Sequence, residues 1–97
     1  MHVTVVKLSL SLENTHSLKS KRNIIRPVIE KVKARFNVSI SEVSMQDNLH
    51  TGALGISCAS NSVQNNLKVV NKLLDFIESS ASGFVVTDTQ TETITGF

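Results

Sequence analysis

The spacing of apolar residues changes period four times along this chain, and that sequence of changes constrains the fold more tightly than any single residue does. Val6, Leu8, Leu10 and Leu12 alternate with Lys7, Ser9 and Ser11, which is the period of a half-buried strand. From Leu18 the apolar positions fall instead at Ile25, Val28, Ile29 and Val32, with Phe36 at the end, which is helical spacing. Ser17 stands where a helix N-cap is needed. Period two returns at Val38 and Ile40, then slips by one residue to Val43 and Met45. An extra residue near Ser41 or Glu42, a β-bulge, would bring both pairs to one face, with Met45 in the core.

Gln46 to His50 is rich in turn residues, and Leu54, Ile56 and Cys58 then alternate with Gly55, Ser57 and Ala59, so a hairpin is expected. Asn61 with Gln64 resembles a capping box. It precedes a second helical stripe of Val63, Leu67, Val70, Leu73, Leu74 and Ile77 that ends near Gly83. Phe84-Val85-Val86 opens a last strand with threonine at 87, 89, 91, 93 and 95. The order is βαββαβ, an α+β ferredoxin-like sandwich in which a four-stranded antiparallel sheet of order 4-1-3-2 carries two helices on one face. Its 97 residues make a single domain, 1–97, with one shared core. Pro27 falls inside the first helix, where it removes an amide donor; the alternatives are a kink near Asn23 or a second helix start close to Pro27, and the kink is expected, since the apolar stripe keeps its phase on both sides.

Charge is unevenly placed. Between His16 and Arg35 lie Lys19, Lys21, Arg22, Arg26, Lys31, Lys33 and Arg35 against Glu30 alone, on a chain of net charge only +2. The first helical turn thus carries cations and no acid, the reverse of what a helix N-terminus favours. An external anion would resolve the mismatch. His16, Ser17, Lys19, Lys21, Arg22 and Arg26 are the candidate phosphate or nucleic-acid contacts, on the expectation that the loop before the first helix and the turn between the middle strands share one end of the domain with Asp47, Asn48 and His50. The ordinary alternative is a solvated helix face.

Catalytic and cofactor chemistry find no support. His2, His16 and His50 lack the paired spacing of a zinc site, Cys58 sits in core alternation, and neither a Gly-x-Ser-x-Gly elbow nor a phosphate-binding glycine loop is present. No catalytic residue, metal or cofactor is expected. The open sheet face, assigned Lys7, Ser9, Ser11, Ser39, Ser57 and the threonine ladder, is poor for stacking bases because the chain has four Phe and no Trp or Tyr. Dimerisation through that face or an edge strand is an equal use for it. One cysteine, no signal-like start and no long apolar run imply a reducing cytoplasm and no membrane segment.

The run His16-Ser17-Leu18-Lys19-Ser20-Lys21-Arg22, the stretch Arg35 to Val43, and Gln46-Asp47 resemble the YlxP-like family of small bacterial proteins, catalogued as a domain of unknown function. The opening Met1-His2-Val3 and the later Asn61 and Phe76-Ile77-Glu78 extend the resemblance to nearly the whole chain. Pro27 and the threonine-rich tail depart from the family pattern. The resemblance implies a ferredoxin-like fold, a homodimer, and gene neighbours in translation initiation and ribosome maturation. It therefore implies a non-enzymatic accessory factor whose partner is ribosomal RNA or the small ribosomal subunit. The competing readings are a homodimeric protein-interaction module and a small acylphosphatase-like hydrolase, whose glycine-rich cradle is replaced here by Asn14-Thr15-His16.

Overall fold

A computed structural model describes residues 1–97. Strand β1 (His2–Ser11) leads to helix α1 (Leu18–Arg35), the hairpin β2 (Ser39–Ser44) and β3 (Thr51–Ser60), helix α2 (Val63–Ser79) and strand β4 (Val85–Ile94). The four strands form one antiparallel sheet of order β2-β3-β1-β4. The ferredoxin-like arrangement read from the apolar periods is the one observed.

Fourteen buried apolar residues make one cluster between the sheet and the helices. From β1 come Val6, Leu8 and Leu10. Their β3 neighbours Ile56 and Leu54 join them, with Ile25, Val28 and Val32 of α1 and Val70, Leu73 and Ile77 of α2 above. Fully burying side chains of this size contributes roughly 1.5–3 kcal/mol each, so the shared cluster is the main stabilising term.

Several positions depart from the periodic reading. The bulge is present, since the β2–β3 register shifts between Glu42 and Ser44, but it does not return Val43 and Met45 to the core. Val43 lies over Gly55, where an added Cβ would come 2.4 Å from Val43 Cγ1, and both Val43 and Met45 are exposed. The bulge instead keeps Glu42, opposite Leu54, on the helix side. Helix α1 runs as one 18-residue helix through Pro27, without a second start.

In α2 the N-cap is Ser62, whose side chain accepts from the Asn65 amide, not Asn61. The buried stripe is Asn66, Val70, Leu73 and Ile77, with Leu67 exposed. Asn66 carries a buried polar network: its amide nitrogen donates to His2 O at 3.1 Å and its Oδ1 accepts from Ser60 Oγ at 2.8 Å. The Cys58 thiol lies 3.4 Å from the same oxygen, and burial raises its pKa above the ordinary thiol value. Replacing Asn66 by alanine is expected to cost about 1–3 kcal/mol in urea unfolding, because it strips partners from groups that remain buried.

The threonine ladder is also placed differently. Thr93, Thr91 and Thr89 stand opposite Thr4, Val6 and Leu8, on the helix side of the sheet. The open face of β4 carries Asp88, Gln90, Glu92 and Ile94, opposite Ser9, Lys7, Val5 and Val3. Thr4 and Thr93 join their hydroxyls at 2.9 Å. A second bulge falls at Thr87, where the register shifts between Ser9 and Leu10. No helix is long and apolar enough to cross a membrane.

Candidate nucleic-acid interface

The β1–α1 loop and the β2–β3 turn are bonded to each other at one end of the sheet. Leu12 N donates to His50 O at 2.9 Å, His50 Nδ1 lies 3.1 Å from Leu12 O, and the buried Thr15 hydroxyl reaches the carbonyls of Leu12 and Leu49. Asn48 Oδ1 accepts from the amides of His50 and Thr51 and so closes the turn. Gly83 of the α2–β4 loop belongs to the same end: its φ is +85° and an added Cβ would meet Ile24 Cδ1 at 3.1 Å. The loops and helix turn that carry His16, Ser17, Lys19, Lys21, Arg22, Asp47, Asn48 and His50 share this end, and Lys21 bonds directly to Asn48 O.

Helix α1 begins here on a reciprocal cap. Ser17 Oγ accepts from Ser20 N at 3.0 Å, while Ser20 Oγ accepts from the amides of His16 and Ser17. The cap takes the role that Glu or Gln usually fills without placing an acid in the first turn, which has none. Ser17 keeps its hydroxyl proton, and both Ser17 and His16 are exposed.

Lys21, expected among the phosphate contacts, is buried instead. Its side chain is 2% exposed and is not part of the solvent-facing basic surface. The ammonium donates to Met45 O at 2.6 Å and Asn48 O at 2.7 Å, and lies 3.1 Å from Glu42 Oε2. Two of its three hydrogens are committed to hairpin carbonyls, and burial beside Glu42 closes the ammonium to an outside anion. Lys21 ties the first turn of α1 to both ends of the β2–β3 turn, and it holds Met45 in the left-handed region at φ +59°, a conformation uncommon for a side-chain-bearing residue. The sequence carried a signal for this: Lys21 lies four residues before Ile25, seven before Val28 and eleven before Val32, in phase with the buried stripe. Asn66 holds the same place relative to Val70, Leu73 and Ile77. In both helices the residue four after the capping serine is polar and buried, and its amide donates to that serine's carbonyl at 3.1 Å.

The other α1 cations remain outside. Lys19, Arg22 and Arg26 are exposed, and Lys33, missed as a site residue, joins them. At 3.6 residues per turn these four fall within an arc of about 60° and extend over ~21 Å. They occupy the flank turned away from α2. Lys31 lines the groove on the other side with Asn23, Pro27 and Phe76, and Arg35 sits 4.6 Å over the Phe76 ring. The single ion pair of the chain is Lys21–Glu42, so no exposed α1 cation has a carboxylate within 4.0 Å. The side chains contain no cluster of three or more His, Cys, Asp or Glu placed to share a metal ion.

Two solved structures of designed proteins share the fold. De novo designed protein LFR1 1, described as having a ferredoxin fold, matches with TM-score 0.59 at 14% identity over 99% of this chain and 89% of its own. De novo designed protein Foldit4 matches with TM-score 0.56 at 16% identity over the whole of both chains. In sequence, the uncharacterized protein YlxP of Bacillus subtilis (strain 168) is 38% identical over 63 residues, which is 65% of this chain and 68% of that protein. The model of the family described as protein of unknown function (DUF503) matches residues 3–91, and the chain belongs to that family.

Proposed function

We propose that this protein is a non-enzymatic factor that binds structured RNA, in the setting of the small ribosomal subunit, through phosphate contacts from the exposed flank of α1. The observation that carries the reading is the row Lys19, Arg22, Arg26 and Lys33, whose charges have no intramolecular partner. Unpaired cations along one helix flank are an electrostatic footprint for a polyanion. The exposed His16 and the free proton of Ser17 extend the row at its N-terminal end. Helix termini with such donors suit phosphate oxygens.

Recognition of this kind reads backbone and shape, since phosphate contacts position a protein without specifying sequence. The shortage of stacking residues agrees with it: Phe84 is buried, Phe36 and Phe76 are half-buried against each other with centroids 5.8 Å apart, and the one exposed ring, Phe97, lies beyond β4. The ribosomal setting follows from the YlxP-like resemblance. Co-sedimentation with purified small ribosomal subunits tests the reading. The protein is expected to pellet with the particle at ~50 mM salt and to be released by ~200 mM; failure to pellet at the lower salt would contradict it.

A further inference from the structure

The free edge of the sheet at β4 is built to accept a strand. Leu12 and His50 are a hydrogen-bonded pair, so the even-numbered residues of β1 direct their backbone groups toward β3 and the odd-numbered ones toward β4. Through the β1–β4 register, Asp88, Gln90, Glu92 and Ile94 are then bonded to β1. Thr89, Thr91 and Thr93 therefore turn their N–H and C=O groups to the open edge. Proline and lysine, which commonly blunt an edge, are missing from the ten residues of β4; a bulge and two acids, Asp88 and Glu92, are present, but the acids lie among the residues bonded to β1. The bulge at Thr87 marks where the regular stretch begins.

We propose that this edge pairs antiparallel with the same edge of a second copy, across a two-fold axis at Thr91. In that register Thr91 faces its own counterpart and Thr89 faces Thr93, so each outward threonine closes both of its backbone bonds. On the open face Gln90 stands against Glu92 and Asp88 against Ile94, with no like charges opposed. A shift by one step centres the axis near Gln90 and sets Asp88 directly against Glu92 twice. A shift the other way sets Glu92 against itself. Like charges directly opposite destabilise a pair, so the acids reject both one-step shifts, and an axis at Thr93 would run the pairing past the end of β4 at Ile94. An axis at Thr89 would run the pairing into the bulge at Thr87. The product is a continuous eight-stranded sheet with all four helices on one face. This inference uses no α1 residue and stands apart from the RNA reading.

Cysteine cross-linking of the full chain tests it. Hydrogen-bonded antiparallel partners have Cα atoms about 5.5 Å apart, inside the range a disulfide spans, and Cys58 is buried. Thr91→Cys is expected to form a covalent dimer under mild oxidation, and a mixture of Thr89→Cys with Thr93→Cys a covalent heterodimer. Thr89→Cys alone should stay uncross-linked, because its counterpart lies four residues along the strand. Sedimentation equilibrium of the unmodified protein should give a dimer. A monomer at every concentration, or cross-linking of Thr89→Cys as fast as Thr91→Cys, overturns the proposal.

Discussion

Replacing Lys21 by methionine is expected to lower the unfolding free energy by about 3 kcal/mol, the low end of what breaking a buried ion pair costs. The stem keeps its volume, but Glu42 loses its cation and the carbonyls of Met45 and Asn48 lose their donor. The low end is expected because Glu42 is only partly buried, with 21% of its side chain exposed, although the Oε2 that faces the ammonium is itself covered. For a domain of this size the loss corresponds to a fall in Tm of roughly 12–24 °C. The double variant Lys21→Met/Glu42→Met should recover part of it, since replacing both partners of a buried pair by apolar groups is far less costly than removing one. A urea transition for Lys21→Met within ~0.5 kcal/mol of the unmodified protein, the range of ordinary surface changes, would mean that the clamp is not a stabilising contact.

The triple variant Lys19→Ala/Arg22→Ala/Arg26→Ala should behave in the opposite way, folding normally and losing RNA. All three side chains are exposed and make no ion pair, and alanine is the best helix former, so each substitution should leave stability within about 0.5 kcal/mol. If the three cations each neutralise a phosphate, the slope of log K against log salt should become shallower by about 2–3. Lys21 does not belong in this set, because its replacement would disturb the hairpin and confound binding with folding. A variant that binds RNA with the slope of the unmodified protein would locate the contacts elsewhere.

The βαββαβ order was legible because each element carries several residues repeating one period, so a single misassigned position does not change the outcome. Lys21 and Asn66 were not legible by residue type, because a lysine or asparagine is mostly exposed and a stripe drawn through apolar residues alone passes over both. Leu18 and Leu67 were taken for stripe members for the same reason and are exposed. Met45 and Val43 alternate correctly, yet the bulge that offset them put Glu42 on the helix side to meet Lys21. A buried charge needs a partner, and its partner here comes from another element, a pairing that no local pattern contains. The β4 threonines were assigned to the wrong face because register is fixed by pairing with β1 and not by alternation within the strand. The exposed cations Lys19, Arg22 and Arg26 were legible, since solvent exposure is the ordinary state of such residues.

Equilibrium titration of the unmodified protein with small-subunit ribosomal RNA across ~50 to 200 mM salt decides whether the unpaired cations of α1 form a phosphate-binding surface. With Lys19, Arg22, Arg26 and Lys33 engaged, the logarithm of the binding constant should fall linearly with the logarithm of the salt concentration, with a slope of about −3 to −4. Binding that does not change across that range, or no binding at its lower end, would contradict the account.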